Sequence, residues 1–160
     1  MPINWFDLVF GFVLGIIATG IAVWKLMPAL MLVTHESKLP FDETVETFIR
    51  HAQEMGWQVP KVYELQNSLA KAGHHIPPLK VISICQPHYA FQVLEKDENK
   101  RISAIMPCRI GIYETSDGKV YISEMNIPLM SKMFGPVVAR AMASVASEEE
   151  AMLKGIVAGH

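Results

Sequence analysis

The sequence holds only two cysteines, Cys85 and Cys108, too few for a disulfide scaffold. It contains no Cys-x-x-Cys and no His-Glu-x-x-His, so no zinc spacing is present. A Gly-rich phosphate loop and a Gly-x-Ser-x-Gly elbow are also missing, which removes common signatures of nucleotide binding and serine hydrolysis. Neither sign of charge dominates: 14 Lys and Arg stand against 16 Asp and Glu, with no basic stripe. Nucleic acid is therefore not an expected partner. No internal repeat or low-complexity linker divides the chain, and 160 residues fit one domain.

The sequence does contain one long apolar run. From Leu8 to Trp24 there are only apolar residues, Gly and one Thr. A helix of about twenty residues rises about 30 Å, the thickness of a hydrocarbon core. Trp5 and Trp24 flank the run, where indoles favour the interface; Lys25 stops it, and Pro28 is expected to end the helix. A positive n-region and a small-x-small cleavage site are lacking, so residues 1–28 are read as an uncleaved anchor and 29–160 as the domain it carries. Lys25 and Lys38 would hold the domain in the cytoplasm by the positive-inside rule. The common arrangement of uncleaved signal-like anchors in bacterial proteins of this shape favours the periplasm, and that is the expectation here. Gly11, Gly15 and Thr19 recur every four residues and form a stripe where a second helix would approach closely, in a homo-oligomer.

Beyond the anchor the pattern predicts an α+β fold, a small mixed or antiparallel sheet with helices mainly on one face. Met31 to Thr34 reads as a first strand. Asp42 is expected to cap a helix bearing Val45, Phe48, Ile49 and Ala52, ended by Gly56. Val62, Leu65, Leu69 and Ala72 predict a second helix, ended by Gly73. Leu79 to Ile84 reads as a strand, and Pro87 opens a short helix through Leu94. Cys108 to Thr115 and Lys119 to Met125 form a hairpin. A three-residue loop, Ser116 to Gly118, puts Ile110, Ile112, Val120 and Ile122 on one face and pairs Tyr113 with Tyr121 on the other. Val138, Met142 and Val145 predict one helix, and a capping box at Ser147 and Glu150 a further one. The order expected is β-α-α-β-α-β-β-α-α.

Ile84-Cys85-Gln86-Pro87-His88-Tyr89-Ala90, Met106-Pro107-Cys108-Arg109, Gly118-Lys119-Val120, Met125-Asn126, Leu129-Met130 and Met133-Phe134-Gly135 together resemble the domain of unknown function 302 family. The likeness covers roughly residues 31 to 157. It implies a compact α+β domain, often secreted or membrane-anchored in bacteria and often self-associating, with no agreed reaction. His74-His75 is not part of that pattern.

Cys85 and Cys108 lie beside prolines at predicted strand ends, with Met106 and Met125 at the same ends. Thiolate and thioether groups suit copper(I) and haem iron, and His88, His74 or His75 would add imidazole. The plainer alternative is that cysteine and methionine simply fill the core, and that the histidine pair is a solvated loop. The acidic groups Asp42-Glu43 and Glu148 to Glu150 are read as first-turn residues serving the helix dipole. Three functions remain open. The first is a self-associating ligand-binding module held in membrane lipid by its helix, with haem or copper as ligand. The second is a thiol enzyme or sulfur carrier in which Arg109 activates Cys108, with Cys85 as partner. The third is a non-catalytic subunit of a larger membrane complex.

Overall fold

The structure, a computed structural model, describes residues 4–158. The first element is α1 (Trp5–Met31), whose N-cap Asn4 accepts a hydrogen bond from the Phe6 N–H. None of its residues is buried, so it is not a core helix. Among the described residues it is the one helix long and apolar enough to cross a membrane. Pro28 does not end it: the helix continues to Met31 with Pro28 inside. Proline forfeits one backbone bond, to the carbonyl four residues back, and Ala29, Leu30 and Met31 are good helix formers that carry the turn onward.

The chain then runs β1 (Leu32–Glu36), α2 (Phe41–Glu54), β2 (Gln58–Glu64), α3 (Leu65–Lys71), β3 (Leu79–Cys85) and α4 (Pro87–Leu94). A 3-10 segment, Asp97–Ile105, leads through a cis Met106–Pro107 bond into β4 (Cys108–Glu114) and β5 (Val120–Met125). The short α5 (Ile127–Ser131) and the long α6 (Pro136–Met152) complete it. The five strands form one sheet in the order β1-β5-β4-β3-β2, with every pairing antiparallel. The α+β class expected from the sequence is the class observed.

The hairpin takes the expected register. Tyr113 pairs with Tyr121, their rings stacked with centroids 5.7 Å apart, and Ile112 pairs with Ile122. Gly118 closes the loop at φ 81°, a left-handed conformation that side chains disfavour. Ile82, Ile84, Ile110, Ile112 and Ile122 are fully buried on one sheet face beneath α2 and α6. Each such side chain contributes about 1.5–3 kcal/mol.

Three expectations are corrected. The stretch around Val62 is strand β2, so the order is β-α-β-α-β-α-β-β-α-α. The register of β2 shifts between Gln58 and Lys61, at Pro60 on the edge of the sheet. This irregularity leaves Val59 and Val62, three apart, as the half-buried residues, and that spacing imitates a helix. The capping box at Ser147 does not form, because α6 runs through it unbroken. Val138, Ala141, Val145, Glu149 and Met152 make one continuous buried stripe, and its burial outweighs a local stop signal. Asp42 lies in the first turn of α2, which begins at Phe41 after Pro40 without a side-chain cap.

Candidate functional site

The hairpin register and the β3–β4 pairing bring several residues to one end of the sheet. Ile84 pairs with Cys108, Leu32 pairs with Met125, and Cys85 ends β3. Pro107 and Met106 precede Cys108 on the approach from the 3-10 segment. This end adjoins the start of β1, where the chain leaves α1. Between it, α4, the 3-10 segment and α6 lies a cavity of about 410 Å³, lined mainly by apolar side chains. Cys85, Cys108, Met106 and Met125 all line it. Sequence position alone did not guarantee that convergence; the antiparallel pairing produces it.

The histidines are elsewhere. His74 and His75 are exposed in the loop after α3. His88 is exposed on α4, where the Gln92 side-chain nitrogen lies 2.8 Å from its Nε2. None of the three lines the cavity. Among the described residues no group of three or more His, Cys, Asp or Glu side chains is placed to hold a metal ion. Arg109 is exposed, while its neighbour Cys108 is partly buried against the core.

The thiol electrostatics follow from burial. Burial raises the Cys85 thiol pKa. Burial raises Cys108 further, and the Glu149 carboxylate and then Cys85 add to the effect. Both cysteines are free thiols. A nucleophilic cysteine needs the opposite, a lowered pKa.

Acidic residues complete the site, and the sequence reading assigned them elsewhere. Glu149 is only 3% exposed and lines the cavity from α6. Burial, with the nearby Glu124 carboxylate, pushes its pKa up to about 8, while a hydrogen bond to Cys108 acts in the opposite direction. Its Oε1 has no hydrogen-bond partner. Glu124 lines the cavity from β5, and its Oε1 lies 3.4 Å from His35 Nε2 on β1. Glu148, one residue before, binds two rings. The Trp57 indole N–H donates to its Oε2 at 2.6 Å, and the Tyr89 hydroxyl donates to its Oε1. That contact raises the Tyr89 pKa, since the hydroxyl proton bridges to a carboxylate. Trp57 and Tyr89 form the aromatic part of the cavity wall, with ring centroids 6.3 Å apart. The glutamates at 148 to 150 therefore lie near the end of α6, not in a first turn.

Two sequence signals pointed inward. Glu149 falls four residues after Val145 and three before Met152, on the buried stripe. Glu124 falls two residues after Ile122, on the same side of β5 as the core.

The family model described as domain of unknown function DUF302 matches residues 33–159, beginning just past α1. The crystal structure of an uncharacterized conserved protein DUF302 from Bacillus stearothermophilus is similar to this chain. The TM-score is 0.68 at 22% sequence identity, covering 77% of this chain and 95% of that one. At that identity the likeness establishes the fold alone. No curated protein matches the chain.

Proposed function

The chain belongs to the DUF302 family, and from that premise we propose that it is a membrane-anchored module that binds a small, mainly apolar ligand at the end of its sheet. The observation that carries this reading is the cavity of about 410 Å³, within the size range of small-molecule sites. Apolar walls, an aromatic pair and a few inward polar groups are the usual makeup of such sites. The length and exposure of α1 support the anchor. We place the domain on the periplasmic side, as the arrangement of uncleaved anchors favours. Self-association through Gly11, Gly15 and Thr19 belongs to the same reading, and a Cβ at either glycine would meet nothing within 4 Å.

Haem and copper were the ligands suggested by the sulfur residues. The geometry favours an organic ligand instead. The thiols are held protonated, His74, His75 and His88 do not line the cavity, and the polar side chains on its wall are the carboxyls of Glu149 and Glu124 with Gln86, Ser123 and Arg109. Thiol chemistry loses support for the same reason.

Naphthalene, a neutral hydrocarbon, is a direct probe. Added to the full chain in detergent, it should shift the Trp57 indole resonance and slow alkylation of Cys85, both saturably. Trp5 and Trp24, on α1, serve as internal controls. No saturable change at either position would overturn the reading.

A further inference from the structure

The cavity begins where the membrane helix ends. Leu32 is the first residue after α1; it is 60% exposed and still lines the cavity, so it stands at the rim. Its strand partner Met125 lines the wall beside it. The junction is fixed in place. The Asn126 side-chain amide donates to the Leu30 carbonyl at 2.9 Å, and the Asn126 N–H donates to the Met31 carbonyl at 2.8 Å. Trp24 is 82% exposed and Lys25 follows it, marking the expected membrane interface on the helix. From there to Met31 the helix rises about 10 Å, somewhat more than one headgroup layer of about 5–7.5 Å. With Trp24 at the edge of the hydrocarbon core, the rim would stand just outside the headgroups, with Leu32 facing an apolar molecule that leaves the bilayer.

The interior is built to receive one polar atom. Glu149 is buried, lines the cavity, and has one carboxyl oxygen without a partner. A second recess of about 330 Å³ shares Glu124, Met125, Ile127 and Glu149, so the carboxyl lies between two openings. The groups acting on Glu149 are Glu124 on β5, which contacts His35 on β1, and the thiol of Cys108 on β4, itself close to Cys85 on β3. The nearest charged neighbour of Glu149 is the Glu124 carboxylate, while Arg109, exposed on β4, lines the same cavity. Burial and Glu124 disfavour a second negative charge at Glu149 itself and leave its carboxyl as a neutral hydrogen-bond donor. A neutral carboxylic acid in an apolar site offers its O–H to an acceptor such as a carbonyl oxygen.

Building on the ligand-binding reading above, we propose that the cavity takes a neutral, single-chain lipid from the bilayer and that Glu149 donates a hydrogen bond to a carbonyl in its head. The chain enters past Leu32 and lies along the apolar wall. The head reaches Glu149 beside Cys108.

The test uses the full chain in nanodiscs, with Cys85 alkylation and the Trp57 resonance as readouts. Decyl methyl ketone is the probe; decane lacks the carbonyl, decanoate carries a charge, and acetone lacks the chain. The ketone should bind about tenfold more tightly than decane, the size of one buried hydrogen bond. Decanoate at neutral pH and acetone should both bind more weakly than the ketone. Glu149→Leu should erase the preference for ketone over decane, and Glu149→Gln, which keeps a donor, should restore it. Leu32→Asp should slow capture from the bilayer. The Leu32 change lies on the surface, so it remains informative if a core variant folds poorly. Equal binding of ketone and decane, or tighter binding of decanoate, would overturn the assignment of Glu149. Unchanged capture by Leu32→Asp would overturn entry from the membrane. If naphthalene binds and the ketone does not, this inference fails alone; if neither binds, the parent reading fails with it.

Discussion

Glu149 on α6 and Cys108 at the head of β4 are hydrogen-bonded to each other across the cavity wall; the carboxylate holds the proton on the thiol, while the thiol's hydrogen bond favours the ionised carboxyl. The carboxyl is buried with Glu124 close by, and its pKa is pushed up to about 8 from an ordinary 4.5. A raised folded-state pKa means the folded chain holds this proton where the unfolded chain has released it. The associated stability is complete below about pH 4.5 and is lost as pH rises through about 8. The melting temperature of the full chain should therefore fall between pH 5 and pH 9. Glu149→Gln should flatten that slope by about a few kcal/mol across the window. An identical slope in both proteins would show that Glu149 is not the titrating group.

Glu148 joins α6 to the α2–β2 connection through Trp57 and to α4 through Tyr89. Trp57 is 4% exposed, and its indole N–H has a carboxylate acceptor at 2.6 Å. Hydrogen bonds to charged groups contribute about 1.5–3 kcal/mol. Glu148→Ala should lower unfolding stability by roughly that amount in chemical denaturation. Trp57→Phe should lose the same bond, and the double variant should cost less than the two single changes added together.

Burial raises both thiol pKa values, and Cys108 is the more buried. At neutral pH, Cys85 should alkylate slowly and Cys108 only on unfolding, as read by intact mass. Rapid, selective labelling of Cys108 at pH 7 would instead support the sulfur-transfer alternative. Arg109 would then have to act on a thiol that burial and Glu149 hold protonated.

Much of the fold was legible because local and tertiary preferences agree. The hairpin is the clearest case: alternation of apolar residues, an Asp-Gly turn and the tyrosine pair all specify one register. The strand β2 was not legible, because its register shift at Pro60 breaks the two-residue period on which strand recognition depends. The C-terminal helix was misread for a different reason. Ser147 and the glutamates imitate a helix start, and only the buried stripe from Val138 to Met152 overrides it. The site shared that fate. The sulfur residues were visible as types near strand ends, and strand pairing brought them together. The acidic half was hidden inside a run of three glutamates, where helical phase alone separates buried Glu149 from its neighbours.

Removing α1 should leave the core closed. No residue of α1 is buried, and its packing partners are β1 and α5 at the junction. The bonds from Asn126 reach Leu30 and Met31, which lie beyond residue 28. Deleting residues 1–28 should leave a soluble domain with an unchanged cooperative transition, while the full chain partitions into membranes. Aggregation of the truncated domain would show that α1 covers apolar surface the domain needs.

The final prediction concerns the helix stripe. Gly11 and Gly15 lie one turn apart on α1, and nothing approaches a Cβ built at either position. In a bilayer, apolar surface alone does not bring helices together, because lipid chains are equally apolar. Association then depends on close backbone packing, which small residues permit and branched ones block. Replacing both glycines with Ile should reduce the oligomer in detergent to a monomer, as read by light scattering. It should leave the thermal transition of the soluble domain in place, since α1 contributes nothing to the core. The comparison with the truncated domain separates the two sources of contact. If the full chain and the double Ile variant have the same size and the truncated domain also self-associates, the contact belongs to the soluble domains. If only the full chain with intact glycines associates, the contact lies in the membrane, and the stripe at Gly11, Gly15 and Thr19 is its surface.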